Sequence, residues 1–468
     1  MAEVIKRSKP LSVDPLKTSS TLGASLAFLG LQRAIPMMHG SQGCTAFGKV
    51  FLVRHFRESI PLQTTAMDQI ATVMSADENV IEGLKTLCEK SHPDVIGLPT
   101  TGIAETQGSD IHRLVREFRA SHPQYAQVAI VPVNTPDYIG SLESGFALAV
   151  EAIIQTLVPH TRHAGRRRRQ VNVLASAALT PGDIEVIRDW CEAFGLRAVV
   201  LPDLGDSLDG HLIEAEHSPL TLGGTPREEI AAMGDSVATL VIGDSLKRAA
   251  DELHLRTEVP DFRFDHLMGL DACDRFTQTL AEISGITVPA RIERQRAQLQ
   301  DAMVDSHFMT GFLRVGIAGE PDLLAGMTEF LTSNGCEVVT AVAPVRAESL
   351  VRLRCATVQI GDLQDLEQGA QSQHAQLLVG SAHLAPCAGR LGIPLLRAGF
   401  PQYDRLGGFA RPWVGYRAAR QALFDIANLV LEQHHDIPAY RSVFWSGGPR
   451  DREDHPLPSQ SRAGVVRH

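Results

Sequence analysis

The sequence contains no CxxC pair. Its seven cysteines, Cys44, Cys88, Cys191, Cys273, Cys336, Cys355 and Cys387, are scattered along 468 residues. That spacing excludes a zinc ribbon or a ferredoxin-type motif held by this chain alone. The odd, sparse count argues against a disulfide framework and points to a reducing, cytoplasmic setting. A run of about eighteen or more apolar residues is also missing, so no membrane span is expected. The most apolar stretch, Leu22 to Met38, is interrupted by Gln32 and Arg33. It follows a mostly polar segment and is not followed by a clear small-residue cleavage site, which speaks against a signal peptide. Basic excess is lacking as well: the net charge is −10, the wrong sign for a chain that binds nucleic acid through its phosphates. There is no P-loop, no GxSxG elbow and no HExxH, so nucleotide hydrolysis, esterase and zincin chemistry have no local support.

What is present is ordinary for a water-facing globular chain, with 44% hydrophobic and 21% charged residues. Short apolar runs alternate with longer helix-like segments. Strand candidates are "DVIGLP" (94–99), "VAIVPV" (128–133), "VNVLAS" (171–176), "RAVVLP" (197–202), "ATLVIG" (238–243), "LRVGIAG" (313–319), "CEVVTAV" (336–342), "AQLLVG" (375–380) and "IPLLRAG" (393–399). Such continuous runs suit strands buried on both faces. A helix is expected from Thr180 as N-cap through Pro181 to Gly195, and another over "EPDLLAGMTEFLTSNG", ending at Gly335. The alternation predicts an α/β fold of three Rossmann-like domains, each a mostly parallel sheet flanked by helices. The expected boundaries are 1–160, 161–300 and 301–446, with a disordered tail over 447–468. The arginine run in "PHTRHAGRRRRQ" (159–170) reads as a solvated linker, and "TVPARIERQRAQLQDAMVDSHF" (287–308) as a long charged helix joining two units. "GIAGEP" (316–321) and "GGTPREE" (223–229) read as ordinary turns into helices, since neither has a full phosphate-binding spacing.

The loop "MMHGSQGCTAFGKVF" (37–51) carries the chemistry. Gly40 and Gly43 permit a tight turn and a close backbone approach to a bulky ligand. Ala46, Val50 and Val53 then recur at helical spacing, and Phe47 and Phe51 form an i, i+4 pair. Cys44 therefore stands at or just before a helix N-terminus. Such positions favour thiolates, the form that binds iron. Two readings of Cys44 remain open here, a metal ligand and a small buried hydrophobe. His39 is a second ligand, a proton carrier, or a hydrogen-bonded structural histidine.

The blocks "HGSQGC", "RHFRE", "MDQIATVMSADENVIEGL", "PDVIGLPTTGIAETQGSDI", "NTPDYIGSLESGF", "GGTPREE", "MGLDACDRFTQTLAEISG", "RAQLQDAMVDSH" and "GFPQYDR" occur in this order. Together they resemble the β-type subunits of the nitrogenase component 1 family over most of the chain. The resemblance implies three α/β domains around metal-cluster sites. In the family's catalytic β subunit, three cysteines of this half serve a large eight-iron cluster. The first matches Cys44; the others would fall near Leu62 and at Gly102, where no cysteine stands. The pattern is therefore similar to the family's assembly scaffolds, on which the iron–molybdenum cofactor is matured from an iron–sulfur precursor.

By that resemblance Cys44 is this chain's one ligand to a [4Fe–4S] cluster shared with an α-type (NifE-type) partner in an α2β2 heterotetramer. The iron–molybdenum cofactor precursor is held mainly in the partner. The nitrogenase iron protein docks transiently and hydrolyses ATP, and the apo molybdenum–iron protein is the recipient. No catalytic residue is expected in this chain. The alternative is the β subunit of a catalytic nitrogenase-like reductase. The remaining cysteines, among them Cys88, Cys336 and Cys355, are expected to pack in the core.

Overall fold

A computed structural model describes residues 1–433, except 8, 70–71, 73–75 and 213–217. The proposed tail, 447–468, lies outside the described residues. The strands in chain order are β1 (Glu3–Ile5), β2 (Ala34–Met38), β3 (Gln63–Thr64), β4 (Val95–Pro99), β5 (Ala129–Val133), β6 (Arg167–Ala175) and β7 (Arg197–Leu201). They continue with β8 (Ser236–Ile242), β9 (Asp261–Phe264), β10 (Arg314–Ala318), β11 (Glu337–Ala343), β12 (Thr357–Ile360), β13 (Leu377–Gly380) and β14 (Leu395–Arg397). They form three sheets, ordered β3-β2-β4-β5, β7-β6-β8-β9 and β1-β12-β11-β10-β13-β14. Every described pairing is parallel. The expected α/β architecture of helix-flanked parallel sheets is therefore what forms. All residues of β4 and of β13 are buried, which is why these segments read as unbroken apolar runs.

Local signals place the helices. The Thr180 hydroxyl accepts from the Asp183 N–H and the Asp183 carboxylate accepts from the Thr180 N–H, a reciprocal cap that starts the helix Pro181–Ala193. Gly195, at φ +66°, follows its end, and Gly335, at φ +87°, follows the helix Pro321–Ser333. The long charged helix spans Ala290–Thr310.

Two expectations change. Arg167 to Arg169 open β6 rather than forming a linker, and Arg167 pairs with Asp235 at 3.3 Å. Their side chains are exposed, so a strand end tolerates the charge that hid it from a hydrophobicity reading. Glu3–Ile5, placed in the first unit by sequence, pairs with Thr357–Gln359 at the edge of the third sheet. A three-residue strand has no periodicity to betray its partner.

Helix Ser20–Leu29 is buried at all ten positions and crosses helix Leu142–Leu157 at backbone contact. A Cβ on Gly23 would lie 1.8 Å from the Leu142 carbonyl oxygen, and one on Gly145 would lie 1.8 Å from the Ser20 carbonyl oxygen. The second helix also carries the clasp between units. The Glu143 carboxylate accepts from the Asp322 N–H at 2.8 Å, Ser141 Oγ donates to Glu320 at 2.6 Å, and Ser245 Oγ donates to Asp322 at 2.6 Å. Burial raises all three carboxyl pKa values, with repulsion from neighbouring carboxylates, Asp244 and Asp265 in the case of Asp322, adding to it.

Two predictions follow from this packing. Gly145→Ala should lower stability by about 3 kcal/mol or more in denaturant unfolding, because backbone cannot yield. Gly389→Ala, with nothing within 4 Å of its added Cβ, should be neutral or stabilising by up to about 1 kcal/mol. The raised carboxyls make the native state hold protons that the unfolded chain releases. For Glu320 that stabilising contribution is complete below about pH 4.5 and is lost as pH rises to about 7. Unfolding midpoints measured across that range should fall less steeply for Glu320→Gln than for the unaltered chain.

Candidate functional site

The loop after β2 lies at the C-terminal edge of the first sheet, where parallel α/β folds place their sites. The chain leaves Met38, passes His39 to Ser41, and enters the helix Gln42–Phe56. Ser41 is the N-cap, so Cys44 lies within the first helical turn, a residue or two deeper than the sequence suggested. Its side chain is exposed, and Ser41 Oγ donates to its sulfur at 3.4 Å.

The helix buries Thr45, Gly48, Leu52, His55 and Phe56. The helical spacing of Ala46, Val50 and Val53 is real, but that face looks outward: Val50 is 51% exposed and Phe47 69%. Phe47 and Phe51 stack edge to face at 5.2 Å. Cys44, Phe47 and Phe51 follow one another at i, i+3 and i+7, so the sulfur shares its stripe with exposed aromatic surface. Tyr138 and Ile139, exposed by 70% and 71%, stand on the loop whose Asp137 faces Gly102.

His39 is fully buried. Its Nδ1 bonds Thr65 Oγ1 at 3.0 Å and its Nε2 bonds Ser109 Oγ at 2.9 Å. Burial pushes its pKa down to about 4, so the ring is neutral. With both nitrogens engaged it is a structural histidine, not a ligand or proton carrier. Around it, Thr101 Oγ1 donates to the His39 carbonyl at 2.9 Å and the Gly40 N–H donates to Thr65 Oγ1 at 3.1 Å. A Cβ on Gly40 would fall 2.3 Å from Thr101 Oγ1. Gly40 thus admits its own neighbouring loop. Gly43 is exposed, and its Cβ would meet only Ser41 Oγ, at 4.0 Å. The hydroxyls of Thr65, Thr101 and Ser109 escaped the sequence reading. The dense Ser/Thr content of "PTTGIAETQGS" was the available signal.

Cys44 is the one exposed cysteine. Cys88, Cys191, Cys273, Cys336 and Cys387 are buried and Cys355 is half-buried. Burial raises Cys191 and Cys336 to about 12, Cys355 and Cys387 to about 11, and moves Cys88 and Cys273 the same way. These are packed thiols. Leu62 is 3% exposed and sits in the main core. Gly102 is the first residue of a short helix, and a Cβ there would find ordinary contact with Asp137 at 3.7 Å. Among the described residues no three His, Cys, Asp or Glu side chains converge as a metal site. The donors among the described residues do not make up a complete iron–sulfur cluster; the loop offers the single exposed sulfur of Cys44.

The family model described as "Nitrogenase component 1 type Oxidoreductase" matches residues 19–431. The nitrogenase iron-molybdenum cofactor biosynthesis protein NifN of Klebsiella pneumoniae is 47% identical, covering 94% of this chain and 96% of its own length. The NifN protein of Nostoc sp. is 46% identical over 92% of this chain and 96% of its own. A solved structure titled "Nitrogenase Cp1 at pH 6.5" superposes with a TM-score of 0.85 at 29% identity, covering 91% of this chain and 95% of its own. A second, titled "Nitrogenase Cp1 at pH 5", gives 0.69 at 12% identity and attests the fold alone. The two NifN relatives carry the biosynthesis title and so support the scaffold expectation over the catalytic one. This chain belongs to the nitrogenase component 1 family, on the branch of its cofactor-biosynthesis members.

Proposed function

We propose that the chain is the β-type subunit of the cytoplasmic scaffold on which the iron–molybdenum cofactor is matured before transfer to the apo molybdenum–iron protein. The observation that carries the reading is the contrast at Cys44: one exposed sulfur in a helix's first turn, in a chain whose other thiols are withdrawn. The proposal includes three domains over 1–160, 161–300 and 301–446, with β1 added to the third.

In this reading Cys44 Sγ is one of four ligands to a [4Fe–4S] cluster, the rest coming from a NifE-type partner in an α2β2 assembly. Such a cluster supplies a one-electron relay between the docked iron protein and the precursor in the partner. Within this chain, the Ser41 hydroxyl, at the N-cap of the helix, donates to the sulfur. The His39 net fixes the loop so that little ordering remains on binding. Phe47, Val50, Tyr138 and Ile139 supply the apolar surface that a partner would cover, keeping water from the metal. A lone donor suits a scaffold, since the positions that would complete a larger cluster are filled by Leu62 and Gly102.

Cys44→Ala in the anaerobically co-purified complex should remove the shared cluster, measured as iron content and as the iron–sulfur EPR signal, with the far-UV spectrum unchanged. Full iron content in that variant would refute the ligand assignment. Phe47→Asp should weaken association with the partner by about 2 kcal/mol or more, read by analytical ultracentrifugation. The purified complex should show no sustained acetylene reduction at nitrogenase-like rates.

A further inference from the structure

A cavity of about 390 Å³ lies away from the Cys44 loop, between the helices Pro181–Ala193, Ala290–Thr310 and Tyr416–Leu431. Its size falls in the range of small-molecule sites. Val186, Ile292, Val414 and Ala418 give it an apolar lining. The charged groups on it are mostly cationic. Arg291, Arg417 and Arg420 line it, and none has a described ionic or hydrogen-bonded partner. Arg411 also lines it, neutralised by Asp425 at 2.6 Å and stacked over Trp413 at 4.1 Å. The one carboxylate on the wall is Asp189.

Two further donors lack acceptors. Helix Tyr416–Leu431 begins at Gly415 with no side-chain cap, so its first N–H groups are without side-chain acceptors where the chain lines the cavity. Trp190, also on the wall, is only 5% exposed, and its buried indole N–H has no hydrogen-bond partner. A buried donor left unpaired costs about 1–3 kcal/mol, and this one belongs to a residue on the cavity wall. The chain's net charge is −10, yet this concavity gathers three guanidinium groups that have no partner among the described residues, an uncapped helix start and an orphaned indole N–H.

We propose that this cavity is a binding site for a small organic dianion, with carboxylate or phosphate oxygens facing the arginines and the helix start, and a short carbon body on the apolar wall. Guanidinium groups bind both oxyanion types in bidentate fashion. No residue of the site belongs to the Cys44 loop, so the proposal stands or falls apart from the scaffold reading.

The test is calorimetric titration of the co-purified, desalted complex with succinate, with pyrophosphate, and with chloride as control. Saturable binding of succinate or pyrophosphate at millimolar affinity or tighter is expected, with chloride inert; the stronger of the two identifies the oxyanion type. The double change Arg417→Ala/Arg420→Ala affects side chains outside the core and should weaken binding on the order of tenfold or more. Trp190→Phe keeps a ring but removes the donor and should weaken it several-fold. Absence of saturable binding for both anions, or an affinity indifferent to the double change, would overturn the proposal. The iron content of these variants should stay at the level of the unaltered complex, which separates this site from the role of Cys44.

Discussion

Both nitrogens of one buried imidazole hold the functional edge of the first sheet together. His39 follows β2, Thr65 follows β3, and Ser109 lies beyond the helix that follows β4. The ring joins three segments that leave neighbouring strands, and the hydroxyl of Thr101 closes on its carbonyl. Buried polar groups left unpaired would be costly, so the net is rigid only because each member is satisfied. From that fixed point the chain needs few residues to reach Ser41 and start the helix that presents Cys44. The position of one sulfur thus depends on hydrogen bonds made by residues that never touch it.

The same economy governs the chain's other thiols. A cysteine in a dry core resists ionisation and binds no metal. The fold places Cys191, Cys273 and Cys387 among apolar side chains and leaves Cys44 at the surface beside Phe47. Reactivity is therefore assigned by burial rather than by residue type. An exposed thiol next to exposed aromatic surface is a liability in an isolated chain and a sensible arrangement in one that meets a partner there.

The units are held to each other by polar groups as much as by apolar contact. Thr221 Oγ1 accepts from the Ala34 N–H at 2.7 Å, and Asp183 accepts from the backbone of Val414 at 2.9 Å. Glu143 receives the first turn of the helix Pro321–Ser333. Gly224, at φ +90°, lies against the backbone of Gly30 and Leu31 so closely that a side chain would not fit. "GGTPREE" is therefore more than a turn into a helix: its second glycine lets the second unit press on the first.

The sequence by itself determined the alternation of buried strands and helices, the caps at Thr180, Gly195 and Gly335, and the helix that begins beside Cys44. These are local effects, written in apolar runs, in capping hydroxyls and in the freedom of glycine, so they can be read over short windows. It also carried the family likeness, including the absence of cysteine at Leu62 and Gly102. Only the tertiary structure decided which face of that helix turns inward, because helical spacing fixes a stripe but not its direction. It alone gave His39 its partners, set Gly40 against Thr101, paired β1 with a strand more than three hundred residues away, and gathered Arg291, Arg417 and Trp190 around one cavity. Contacts between distant segments depend on how three sheets settle against one another, and no short window of sequence contains that.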